Sequence, residues 1–127
     1  MTAEKKIYEL HQENQEWLKK LSFYKDEIKV FQKRVDEIAK LNTSKEFQAM
    51  VDHYQNQFFI QLDRINSIKH EIKNNEKTIE DSVRSNSVAV DHRSMPDHEE
   101  QREKVQTFEE IFSSLKDEFN SFLSKFL

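Results

Sequence analysis

Apolar and aromatic residues return every three and four positions down nearly the whole chain, the spacing of one face of an α-helix. Written in heptads, the first run puts Ile7, Leu10, Asn14, Trp17, Leu21, Tyr24, Ile28, Phe31, Val35 and Ile38 on the a and d positions, and nine of these ten are apolar or aromatic. A seam this regular predicts a helix over about residues 3–41, about 55–60 Å long at 1.5 Å per residue. Asn42-Thr43-Ser44-Lys45-Glu46 interrupts it. There Asn42 or Thr43 can accept hydrogen bonds from the first amides of a new helix, and Thr43 with Glu46 three residues on has the spacing of a capping box. So short a connection predicts that the next helix turns back antiparallel.

The second seam reads Phe47, Val51, Tyr54, Phe58, Gln61, Ile65, Ile68, Ile72, Asn75 and Ile79, predicting a helix over about 44–85. From Ser82 to Ser94, serines, an asparagine and β-branched valines replace strong helix formers, which predicts a long loop over about 86–95. Ser94 as a cap, Pro96 in the first turn and Asp97, Glu99 and Glu100 near the positive end of the dipole then predict a third helix over about 96–126. Its seam is Val105, Phe108, Phe112, Leu115, Phe119, Phe122 and Phe126. The expected fold is all-α: one domain over residues 1–127, built of three long antiparallel helices in a coiled-coil-like bundle. With Trp17 inside Glu16-Trp17-Leu18, the arrangement loosely resembles a three-helix spectrin-type repeat, though with longer helices than that repeat has, and no residue role is carried over from it.

Composition sharpens this picture. Charged residues match hydrophobic ones at 35% each and mean hydropathy is −0.92, values compatible with disorder were it not for ten phenylalanines, three tyrosines and a tryptophan laid out at helical spacing. A net charge of −4 argues against duplex nucleic acid or an anionic membrane as partner, and the Lys19–Arg34 stretch alternates its basic residues with acidic ones. That whole net charge resides in residues 96–127. No run approaches the roughly 20 apolar residues of a membrane span, and with no cysteine and no leader-like start the expected compartment is cytoplasmic.

Candidate chemistry is sparse. There is no cysteine, and no Glu-x-x-His of the kind that places di-metal ligands inside bundles; His92 and His98 are the nearest approach to a ligand pair. Ser113 and Ser114 have no histidine at helical spacing, and with no glycine in the chain there is no phosphate-cradling loop. The expectation is therefore no enzyme, no cofactor and no metal, but a structural or interaction bundle that pairs with itself as a homodimer and can receive another helical protein. A second reading makes the aromatic core, with Trp17, Tyr24, Tyr54 and Phe58 as walls, a pocket for an apolar ligand or metal.

Two sets of residues stand out from the seams. Phe23, Val30, Phe59, Ile60 and Leu62, with the helix-3 residues Phe119, Phe122 and Phe126, are expected to form a second apolar face available as an interface. Asn14, Gln61 and Asn75 are polar residues on the seams, expected to set register, with Asn14 and Asn75 able to pair near the open end of the first hairpin. A third helix of only about 45 Å is also expected to leave one end of that hairpin uncovered.

Overall fold

The computed structural model describes residues 3–85 and 87–126, with side chains described for all of these except 3–5, 82, 85 and 87–97. Among the described residues the protein is entirely helix and short turn, with no strand: α1 spans Ala3–Ile38, α2 Lys45–Ser85 and α3 Ser87–Phe126.

The first reversal works without glycine, and no described residue has a positive φ. The backbone tightens after α1, where the Leu41 amide bonds the Ile38 carbonyl at 3.0 Å. The Gln48 side chain reaches back from α2 and donates to the carbonyls of Ala39 (2.9 Å) and Asn42 (2.7 Å). It thus satisfies acceptors that a glycine cap otherwise leaves to backbone amides. The start of α2 falls one residue later than the capping-box reading expects. Ser44 is the cap, its Oγ accepting from the Phe47 amide at 3.3 Å, while Asn42 Oδ1 accepts from the Ser44 amide at 2.9 Å in an Asx turn.

The second break departs further from expectation. Residues 87–95, expected as loop, belong to α3, which is 40 residues long against 36 for α1 and 41 for α2. Asn86, the first residue of that expected loop, lies outside the described residues; serine and valine cost a helix only about 0.5 kcal/mol each, and no glycine stands among them to end it. At 1.5 Å per residue α3 is about 60 Å long, so the expected uncovered end of the hairpin does not arise from a short third helix.

Hydrogen bonds fix which faces meet. Between α1 and α2 the numbers run in opposite senses: Asn14 with Glu76 (2.7 Å), Ser22 with Lys69 (2.9 Å) and Asp36 with Gln55 (3.3 Å). Between α1 and α3 they rise together, Glu13 with Arg102 (2.6 Å), Tyr24 with Glu109 (2.6 Å) and Glu27 with Lys116 (3.3 Å). The three seams turn inward onto one core. At its centre Phe31 stacks on Phe58 (5.2 Å between centroids) and takes the edge of Phe119 (5.7 Å), so one ring from each helix meets there. Such pairs add about 0.5–1.5 kcal/mol beyond the area they bury.

Pro96 is now the tenth residue of α3 rather than part of its first turn, and having no amide hydrogen it cannot bond the carbonyl of residue 92. Pro96→Ala is therefore expected to stabilise the protein, by up to about 3 kcal/mol in denaturant unfolding. No gain would place the start of the helix near Pro96 after all.

Candidate functional site

The core is not continuous. Leu10 and Ile79, with Ile7 against them, form a small cluster apart from the main one that begins at Trp17 and Ile72. The gap holds polar seam residues: Asn14 on α1, Asn75 and Glu76 on α2, and His98 and Gln101 on α3. Asn14 is wholly buried, and its Nδ2 donates to Glu76 Oε1, so its partner is Glu76 rather than the expected Asn75. Glu76 also accepts from the His11 ring at 2.6 Å. A carboxylate offers a separate oxygen to each donor and, being charged, accepts more strongly than the single oxygen of a second amide, which favours Glu76 over Asn75 as the partner.

On the α3 side His98 is only 1% exposed. Its ring stacks on Trp17 (4.7 Å between centroids, 29°) and its Nε2 donates to Glu13 Oε1 at 2.5 Å, while Arg102 donates to both Glu13 oxygens at 2.6 and 3.1 Å. Burial pushes the Glu13 carboxyl up, but the hydrogen bonds and charges of Arg102 and His98 together outweigh it and hold the group below its ordinary value. The same bond, ahead of burial, raises Arg102. Four polar atoms of this layer have no protein partner among the described residues: Asn14 Oδ1, Asn75 Nδ2, His98 Nδ1 and Gln101 Nε2. Each such group costs about 1–3 kcal/mol, so this is the least favourable stretch of the seam.

His98 and Gln101 were legible as seam residues. They lie seven before Val105 and Phe108, inside the helix expected over 96–126, whose seam was read only from Val105 on. As a metal ligand His98 is otherwise engaged, the His92 side chain lies outside the described residues, and no three His, Asp or Glu groups gather as ligands among the described residues. A ring this buried and stacked orients Glu13 but offers no face to a solute. Gln61, the third polar seam residue, is buried in the middle of α2.

The proposed aromatic walls are filled by protein: Tyr24 packs against Phe108 and Phe112, and Tyr54 and Phe58 against Phe119. Burial, then the hydrogen bond it donates to Glu109 and the charges of Glu109 and Glu27, push the Tyr24 hydroxyl up to about 12. Burial, then the charge of Glu118, also raises Tyr54.

The expected interface residues divide. Phe119 and Phe122 belong to the internal core and Leu62 packs against it, because α3 runs along the α1–α2 pair and consumes its own seam. Phe23 (64%), Val30 (67%), Phe59 (63%), Ile60 and Phe126 stand exposed. Those five do not share one face. On α1 the b positions Ser22 and Asp36 touch α2 and the g positions Glu13 and Glu27 touch α3, so the c positions Phe23 and Val30 stand on the α3 side. On α2 the e positions Gln55 and Lys69 touch α1 and the g position Glu71 touches Lys104 of α3. Phe59 at b therefore faces the α1 side and Ile60 at c the α3 side, where Ile111 is also exposed.

One apolar groove opens between α2 and α3, floored by Ala49, Met50, Tyr54, Phe122 and Phe126. Its rim carries Glu46, Asp117 and Glu118, with Lys125 the one cation. No protein family, curated protein or solved structure matches the chain.

Two titrations test these environments. The lowered Glu13 stabilises the fold fully above its unfolded value of 4.5 and loses that contribution as pH falls through the folded value. The stability difference between the wild type and Glu13→Gln should thus shrink as unfolding is followed below pH 4.5; a difference independent of pH would contradict the Arg102–Glu13–His98 linkage. Tyr24 is raised, so its contribution is full below pH 10 and lost as pH rises through about 12. Phenolate absorbance should show a component near pH 12 that Tyr24→Phe removes.

Proposed function

We propose that the chain is a non-enzymatic helical interaction module, an antiparallel coiled-coil-like bundle that pairs with a second copy of itself. One observation carries the reading. The three seams up to Phe122 are turned inward, yet nine large hydrophobic side chains among the described residues remain exposed, including the Phe23–Val30 pair on one face of α1 and Phe126 at the α2–α3 groove. Single exposed hydrophobics are ordinary on a protein surface, but grouped ones mark contact surfaces. The opposite running of α1 and α2, and of α2 and α3, where Tyr54 meets Glu118 and Glu71 meets Lys104, supports the antiparallel part of the reading. Among the described residues no helix is long and apolar enough to cross a membrane, and the acidic surface of α3 disfavours anionic partners.

Sedimentation equilibrium of the full chain from low to high micromolar is expected to show a monomer–dimer equilibrium. A monomer throughout that range would refute self-association. Phe23→Glu should shift the equilibrium toward monomer with the helical circular dichroism unchanged, since that side chain contributes little to the core.

A further inference from the structure

The reading as a self-associating bundle leaves open which surfaces meet, and two patches on the chain complement each other in shape and charge. The first is a ridge. Phe23 and Val30 are seven residues apart on the c position of α1, two turns or about 10.5 Å along one outward line. Lys19, Lys20, Lys33 and Arg34 flank them on either side, all exposed and none in an ion pair; Asp26 is the exposed acid between them, and Glu27 is already paired with Lys116. The same line ends on the exposed acids Glu16 and Glu37, one heptad beyond each side chain.

The second is the groove between α2 and α3. Its walls run from Glu46 to Tyr54 on α2, about 12 Å, and from Asp117 to Phe126 on α3, about 13 Å, so its length matches the ridge. Its floor is apolar, with Met50 half-buried and Phe126 46% exposed. The carboxylates of Glu46, Asp117 and Glu118 stand at the rim outside any ion pair, while the four cations flanking the ridge, Lys19, Lys20, Lys33 and Arg34, carry the opposite sign. Exposed Ile60 and Ile111 continue apolar surface along the same side of the bundle.

Resting on the self-association reading, we propose that the Phe23–Val30 ridge of one copy docks in the α2–α3 groove of a second copy, with Lys33, Arg34 and their neighbours against the acidic rim. Each copy carries one ridge and one groove, so a two-fold pair makes the contact twice, residue i of one copy meeting residue j of the other and the reverse. Phe59 lies outside this contact, on the α1 side of α2. Screening of the rim charges makes the association sensitive to salt.

Sedimentation velocity of the 127-residue chain tests the assignment with exposed positions only, so the folded monomer survives each change and circular dichroism verifies it. Phe23→Glu breaks the ridge and Ala49→Arg blocks the groove; each is expected to weaken self-association at least about tenfold, and Phe59→Glu to leave it unchanged. An equimolar mixture of the Phe23→Glu and Ala49→Arg chains is expected to associate more strongly than either variant alone, because an intact groove then meets an intact ridge at one of the two contacts. If the wild type pairs but Ala49→Arg pairs equally well, or Phe59→Glu abolishes pairing, or the mixture associates no better than either variant alone, this contact is wrong while self-association stands. A wild type that stays monomeric overturns both. A monomeric wild type whose groove binds a synthetic Leu/Lys amphipathic peptide, and loses it on Ala49→Arg, would assign the groove to another protein's helix instead of a second copy.

Discussion

Phe31 is where the three helices are held to one another. Its ring stacks on Phe58 of α2 and receives the edges of Phe112 and Phe119 of α3, so a single α1 side chain is in contact with both neighbours. Below it Tyr54 extends the same packing to Phe122, and above it Tyr24 joins Phe108 and Phe112. A chain with only 35% hydrophobic residues can fold on this basis because aromatic rings bury large areas per residue, and the helices need only one inward stripe each. The orientation of every other surface, including the outward lines of Phe23 and Ile60, follows from how that aromatic layer turns the helices.

Lack of glycine shapes the ends as much as aromatic rings shape the middle. Without a residue suited to positive φ, α1 cannot close on a left-handed cap, and the task passes to Gln48, a side chain on the next helix. That device ties the end of α1 to the start of α2 and sets the turn by side-chain geometry. It also explains why the capping residue is Ser44: the chain has to travel as far as Asn42 and bend through an Asx turn before a helix can begin.

The polar layer at Asn14 has the opposite character. Main-core packing stops at Trp17 and Ile72, and a network built around two carboxylates, Glu13 and Glu76, takes over. Buried polar groups in a seam lower stability but discriminate strongly against other registers, since a shift of one heptad would bury these groups against hydrocarbon. The unsatisfied atoms concentrated here make this end the place where the bundle opens at least cost, while the layer around Phe31, with its continuous rings, is the firm one.

The periodicity of the sequence determined that the chain is helical, that three seams exist and which residues lie on them; nearly every a and d residue between Leu10 and Phe122 is buried as its position requires. This was legible because burial on a helix depends on local spacing, and 3.6 residues per turn is a property of the backbone. What only the tertiary structure decided was anything requiring two helices at once. Asn14 chose Glu76 over Asn75, and Glu13 found His98 and Arg102 more than eighty residues away. Phe119 and Phe122 were claimed by the core, while Phe23 and Phe59, alike in sequence character, came to stand on different sides of the molecule. Helix rotation and axial register are set by the sum of all contacts between neighbours, and no window along one strand of sequence contains that sum.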